Sequence, residues 1–410
     1  MLLVLDKSAE YYLTYVIFTF KGLLSLTPVL LMNKQSPNNL SRLILVGLLL
    51  SVSFSVHGPA SAQIGKAPIA AEWEKIVEAG RKEGKVTVSI PASAELRKQL
   101  EESFKKRFGI EIEVFTARGS AAVRRMADEF KSGVRHFDLH IGGSSSAVSG
   151  MLDEGILDPF ENWFALSEVK DPKQWWGGHM WVDNAQKFIY MFQAYLTESI
   201  WVNTELAKPG DFRSYDDFLQ PKWKGRIGFL DPRTPGAGDS NWAHLWAVKG
   251  EDYLRKFVTQ ELVLGRDQRV LGENLAKGRV AVMFGLTSYS LLPFIRAGLP
   301  IKPVTGLKEG TYGTGGSGNV AVIKAPAHPN ATKVFVNWLL SREGQEIVPR
   351  ALGQATRRLD VDTKWLRETG VIAAKDQMTV KEFLQIENQS EEKLDKVREP
   401  AQKLAAALLK

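Results

Sequence analysis

The sequence predicts an α/β protein of two lobes, each a mainly parallel sheet flanked by helices, with a central cleft between them. Two observations lead there. Strand-like and helix-like segments alternate from residue 85 to residue 153, and such alternation builds parallel sheets covered on both faces. A second series of the same kind begins after residue 188, and 410 residues at 44% hydrophobic and 24% charged exceed what one core ordinarily holds.

The elements follow in order. A helix is expected over Glu72 to Lys82, a strand over Lys85 to Ile90, a helix over Ala94 to Phe108 and a strand over Ile110 to Thr116. Val123, Met126, Ala127 and Phe130 give helical spacing to Ser120 to Ser132, and a short strand, Phe137 to Ile141, leads to a helix over Ser144 to Asp153. Phe188 to Trp201 is mostly apolar, and Gly278 to Phe284 reads as a strand introduced by a helix from Glu273. Val320 to Ile323 suits a buried strand, which Pro326 and Pro329 stop. Asn330 is a natural N-cap for a helix whose apolar face is Val334, Phe335, Trp338 and Leu339, and Ser341 caps a further turn from Arg342. Beyond Asp360, Lys375 to Leu384 and Glu391 to Leu409 are closing helices.

The amino terminus is set apart from this fold. Lys34 and Arg42, an apolar run from Leu43 to Val56 and Ala60-Ser61-Ala62 form the three regions of a secretory signal peptide, with cleavage after Ala62. Its apolar run is shorter than the roughly 20 residues of a membrane span. Met32 is then the expected start, and residues 1–31 an over-extended amino terminus. Loss of residues 1–62 removes Lys7, Lys21, Lys34, Arg42, Asp6 and Glu10, so the formal charge of +7 falls to +5. Bases and acids interleave, as in Arg81-Lys82-Glu83, which is the pattern of solvated helix faces and argues against a nucleic-acid partner. Cysteine is absent, which excludes disulfides, thiolate metal sites and cysteine nucleophiles.

Three phrases narrow the reading. Asn319 to Val348 contains Val-Phe-Val-Asn-Trp-Leu-Leu-Ser-Arg-Glu-Gly-Gln after its strand and proline link; Tyr215 to Asp231 joins a helical turn, a lysine-rich corner and a strand ending at Asp-Pro; Gly278 to Gly285 reads Gly-Arg-Val-Ala-Val-Met-Phe-Gly. Together with Val202-Asn203-Thr204 they resemble the family-1 extracellular solute-binding proteins, the periplasmic receptors of ABC importers that include the iron(III)-type receptors. The resemblance covers residues 84–350. It implies the periplasmic-binding-protein type II fold and a monomer that needs no cofactor, captures a small solute and docks on an ABC permease. It also implies lobes drawn from residues 63–200 and 201–315, with 316–410 returning to the first lobe and closing the fold.

The candidate site lies in the loops after the strands, where ligands of such sheets bind. In the first lobe these are Ser93, Arg118, Gly119 and Ser120, and Gly143, Ser144 and Ser145. Helix amino termini present unpaired N–H groups, and Arg118 could grip a carboxylate or phosphate bidentately; ordinary capping explains the same residues. Tyr195 precedes the crossover. Asp231, Thr234 and Gly236, and Ser288 and Tyr289, stand in loops that close over ligand in the resembled family.

Other signals carry less. His136, Asp138 and His140 share a strand face and suggest a metal trio, but on a central strand a packed, hydrogen-bonded histidine is the simpler account. Gly313-Thr-Gly-Gly-Ser-Gly318 matches a dinucleotide fingerprint yet precedes its strand, so a hinge or cleft rim fits better. No G-x-S-x-G or H-E-x-x-H occurs, and the six histidines are scattered, which favours binding over an enzyme on the same architecture. Iron(III) receptors present adjacent tyrosines; here Tyr190, Tyr195, Tyr289 and Tyr312 are isolated in sequence, and a small organic anion bearing phosphate or carboxylate is the preferred solute, with iron(III) the alternative.

Overall fold

The computed structural model describes residues 14–20, 23–29, 66–116, 119–197, 199–369 and 371–409. Contacts divide the chain into two units, residues 1–60 and 61–410. In the first, β1 (Thr14–Phe20) and β2 (Leu23–Val29) pair antiparallel. The expected signal peptide and its cleavage after Ala62 lie outside the described residues. Among the described residues, no helix is long and apolar enough to cross a membrane.

The second unit contains two five-stranded sheets of matching design. Along the chain come β3 (Lys85–Ile90), β4 (Glu111–Thr116), β5 (Leu139–Gly142), β6 (Tyr190–Met191) and β7 (Tyr195–Thr197). Then follow β8 (Ile200–Asn203), β9 (Ile227–Leu230), β10 (Val263–Gly265), β11 (Val282–Phe284) and β12 (Ile301–Pro303). Last are β13 (Gly313–Thr314), β14 (Asn319–Val322) and β15 (Val371–Ala373). The first sheet runs β4-β3-β5-β14-β6 and the second β10-β9-β11-β8-β12. In each, the first three strands are parallel and the fourth is antiparallel to both neighbours. That fourth strand is the one arriving from the other sheet. Just before each entry, β7 and β13 pair with each other, Tyr195 opposite Thr314, with β15 on the other edge of β7.

Burial follows the alternation. Val86, Val88, Leu139, Ile141, Val320 and Val322 fill the first core, and Ile200, Val202, Ile227, Phe229, Val282 and Phe284 the second. Phe229 stacks on Phe284 at 5.4 Å, as their register on parallel strands dictates. Helix Ala94–Phe108 lays Phe104 on Phe335 and Trp338 of helix Pro329–Leu340, at 5.2 and 5.5 Å. The last helix, Glu399–Leu408, buries Ala401 and Ala405 in the second core.

Two local expectations change. Helix Pro329–Leu340 starts one residue before the expected cap, because Pro at N1 needs no N–H partner. Asn330 does not cap it; Glu83 does, accepting from the backbone N–H groups of Asn330 and Ala331 at 3.1 and 2.7 Å and from the Asn330 amide. The contact is possible because helix Lys66–Glu83 passes so close that a Cβ on Gly80 would lie 3.2 Å from the Ala331 backbone. Ser341 does cap the next helix, accepting from Gly344 N–H at 3.3 Å. The second change is at residue 148, where the helix begun at Ser144 widens into a π-turn over Val148–Leu152.

Buried polar side chains pin the irregular segments. Among the described residues, Arg357 has no acidic partner. Its guanidinium donates to the carbonyls of Met191, Trp176 and Gly178 and lies between Trp175 and Tyr190, and burial lowers its pKa to about 10. Asn337, fully buried, accepts from Ala165 and Leu166 N–H at 2.8 and 2.9 Å and donates to the carbonyls of Trp163 and Lys333. A buried group left without its partner costs about 1–3 kcal/mol. Asn337→Leu therefore loses about 2–4 kcal/mol of stability, measured by urea unfolding, and an unchanged midpoint would contradict this account.

Candidate functional site

The loops of the first lobe differ in what they leave available. Ser93 is buried, and its hydroxyl accepts from Leu96 N–H at 3.1 Å, capping its own helix. Arg118 lies outside the described residues; Gly119 opens helix Gly119–Lys131, and Ser120 is exposed. Gly143 precedes the next helix. Ser144 is fully buried and donates at 2.8 Å to Gln389 Oε1, from the carboxyl-terminal segment, while Ser145 is half-buried with its carbonyl accepting from Ser149.

The Gly142–Gly143 loop meets the turn between β13 and β14. Gly318 N–H donates to Gly315 O at 2.8 Å and closes the turn, Gly316 takes φ 55°, and Gly316 N–H donates to Thr314 Oγ1. Bare backbone is required here, because a Cβ at Gly316 would fall 1.9 Å from the Tyr195 hydroxyl. Asn319 Nδ2 donates to the carbonyls of Gly142 and Gly316, tying the turn to the end of β5. Gln354 Oε1 accepts from Ser317 N–H at 3.2 Å. From the other lobe comes Tyr289, which packs against the first core and hydrogen-bonds Ser317 alongside Thr287 and Gln268. Gln268 itself accepts from both Thr287 N–H and Thr287 Oγ1.

Three tyrosines scattered in sequence are thereby gathered. Burial pushes the Tyr195 phenol well above its usual range, reinforced by Tyr312 and Tyr289 nearby. Burial also raises Tyr289, and Tyr312 to about 12, so all three are neutral hydroxyls in the unliganded protein.

The second-lobe loop after β9 is held by arginines. Asp231 is buried; Arg233 grips it through Nε and Nη2 at 2.8 and 3.0 Å, and Arg266 Nε adds a third bond at 2.9 Å. Burial raises its pKa, but these hydrogen bonds and the Arg233 N–H outweigh that and hold it at about 2. Thr234 Oγ1 donates to Asp231 O at 3.4 Å. Gly236 takes φ 150°, and its N–H donates to Asp239 Oδ1 at 2.7 Å. Arg398 from the carboxyl-terminal segment closes a buried bidentate pair with Asp239, at 2.7 and 2.8 Å through Nη2. Ser288 is buried at the start of helix Ser288–Arg296, which approaches Gly353 of the first lobe.

A family model described as bacterial extracellular solute-binding protein matches residues 85–351. The chain belongs to that family. It has the two-lobed fold of the periplasmic binding proteins. The structure of the periplasmic binding protein AfuA from Actinobacillus pleuropneumoniae, with exogenous fructose-6-phosphate bound, is similar with a TM-score of 0.58 at 18% identity, covering 79% of this chain and 99% of that one. The periplasmic binding protein P5PA gives 0.59 at 19% identity, over 77% of this chain and 98% of its own. Iron-bound HitA from Pseudomonas aeruginosa gives 0.57 at 17%, over 80% and 99%. A Haemophilus influenzae protein, described only as uncharacterized, is 25% identical over 261 residues, which is 60% of this chain and 71% of its own length.

Against this solute-binding fold, the sequence-derived residues fall into two sets. Gly143, Ser144, Tyr195, Ser288 and Tyr289 stand where the lobes meet or next to that point. The carboxylate of Asp231 is committed to Arg233 and Arg266, and the Ser93 hydroxyl to its helix. Of the trio His136, Asp138 and His140 only His140 lies on β5, which starts at Leu139, and each member is separately engaged: Asp138 accepts from Thr87 N–H and bonds His328, His140 bonds Ser89, and His136 faces Glu113. Burial alone lowers His140 to about 4, so it is neutral. Gln193, Gln268, Gln354 and Gln389 had no sequence signal, because isolated glutamines in connecting segments form no motif.

Asp231 gives a pH prediction. Its folded pKa lies below the unfolded value of about 3.9, so its contribution is complete above that value and disappears as pH falls through about 2. Thermal melts should show the native protein losing stability more steeply than Asp231→Asn across that window; parallel curves would refute the pairing. For the buried pair, Asp239→Asn leaves Arg398 uncompensated and should cost about 3–5 kcal/mol in chemical denaturation, and a near-neutral result would contradict it.

Proposed function

We propose that the receptor's solute is a small organic anion bearing a phosphate or carboxylate group. The single observation that carries this is the state of the acids in the second-lobe loop. Asp231 and Asp239 are both paired with arginines, so neither carboxylate is left to hold a cation, and the side chains around the β13–β14 turn are neutral hydroxyls and amides. Neutral groups offer a trivalent cation little charge, which turns the reading from iron(III) to an anion gripped elsewhere in the cleft. AfuA, whose structure carries fructose-6-phosphate, supports the same chemistry.

Arg118, Gly119 and Ser120 grip the anionic group with the Gly143–Ser145 loop, and the second lobe closes over it through Thr234, Gly236, Ser288 and Tyr289. Solute touching both lobes selects the closed state, because only there are both sets of contacts made. The lobes are drawn from residues 63–200 with the return after 316, and 201–315. The receptor acts without catalysis as a monomer, is exported by cleavage after Ala62, and hands its solute to a permease.

One observation favours a second reading. Tyr195, Tyr289 and Tyr312 lie near one another, and phenolates are ligands for iron(III), the metal named for HitA. Native mass spectrometry of receptor purified from its own periplasm separates the two. A retained mass of an organic anion supports the first reading, and retained iron with a visible phenolate charge-transfer band replaces it. For the first, Arg118→Ala should weaken the anion by about 1.5–3 kcal/mol, the worth of a charge-assisted hydrogen bond, in titration calorimetry. Unchanged affinity removes Arg118 from the site.

A further inference from the structure

Gln193 follows β6, and its side chain is fully buried with neither Oε1 nor Nε2 engaged by any described residue. Its aliphatic carbons lie over Gly318, where a Cβ would come within 2.4 Å of them. On the same turn, Asn319 Oδ1 is also buried without a partner among the described residues, 3.4 Å from the Cβ position of Gly315, although Asn319 Nδ2 is used twice. Two acceptors and one donor group thus stand idle beside the turn that the Gly142–Gly143 loop, Tyr195 and Tyr289 all approach. Buried polar groups are nearly always paired, and each left unpaired costs about 1–3 kcal/mol.

We infer that Gln193 and Asn319 form a subsite for hydroxyl groups of the solute. The proposal rests on the anion reading and adds that the solute has an uncharged, hydroxylated part. The two idle acceptors decide the chemistry. The charged oxygens of a phosphate or carboxylate have no hydrogen to give them and would be repelled, whereas an alcohol hydroxyl donates to an acceptor and accepts from Nε2 at once. A diol matches the set. The anionic group then lies toward the Gly119–Ser120 and Gly143–Ser145 loops of the anion reading, and the hydroxylated part lies against the turn, which fixes the orientation of the solute.

The test uses glycerol phosphate, glycerol and inorganic phosphate with the full-length mature receptor and Gln193→Met, a substitution of similar volume. In the native receptor glycerol phosphate should bind more tightly than inorganic phosphate, and Gln193→Met should lose about ten- to hundredfold for glycerol phosphate with no change for phosphate. Without ligand, Gln193→Met should melt no lower than the native protein, because an idle buried amide has been removed. Equal affinity of the native receptor for phosphate and glycerol phosphate overturns the subsite and leaves the anion reading standing. Protection of the native protein by glycerol, absent in Gln193→Met, with no binding of either phosphate, upholds the subsite and removes the anion reading. A ligand-free variant that is destabilised, with unchanged or uniformly reduced binding, marks Gln193 as structural and overturns the proposal.

Discussion

Each five-stranded sheet is completed by a strand that arrives from the other one, and the rest of the architecture depends on that exchange. β8 enters the second sheet and β14 the first, each antiparallel between parallel-running neighbours. Neither sheet closes its core from contiguous chain, so the lobes are complete only together. The exchange also places the two connections side by side as β7 and β13, a short ladder about which lobes of this kind can turn. Strand ends from both sheets then face one turn, Gly315–Gly318, where bare backbone lets Tyr195, Gln193 and Gln354 approach closely.

Charge is handled in a consistent way around this centre. Acids near the second-lobe rim are paired with arginines, two of them brought from a distance along the chain: Arg266 to Asp231 and Arg398 to Asp239. Arg357, by contrast, is satisfied wholly by carbonyls. The result is a junction of neutral hydroxyl and amide groups, whose hydrogen bonds are strong in a poorly hydrated setting and therefore selective. In the proposed site, selectivity for a solute would come from matching each of those groups, since an unmatched one is expensive.

The carboxyl-terminal segment joins the two halves a third time. Gln389 bonds Ser144 of the first lobe, Asn388 N–H bonds Gly313, and Arg398 bonds Asp239 of the second. The segment passes from one core to the other, Leu394 in the first lobe and Ala401 and Ala405 in the second. The lobes are therefore tied together by this segment as well as by the crossover strands.

The sequence by itself determined the element types and the family. Alternating strand and helix patterns, the proline link before residue 329 and the Ser341 cap are local, set by backbone sterics and side-chain periodicity, and they were legible residue by residue. The loops after strands were legible as a class, because parallel strands end there. Tertiary structure alone decided which side chains in those loops are available. Asp231 is taken by an arginine 35 positions away, the helix at Pro329 is capped by Glu83, 247 positions from Asn330, and three isolated tyrosines become neighbours. Such partners are chosen by the meeting of distant strand ends. No spacing along the chain encodes that meeting, because it depends on how the two sheets exchange their fourth strands.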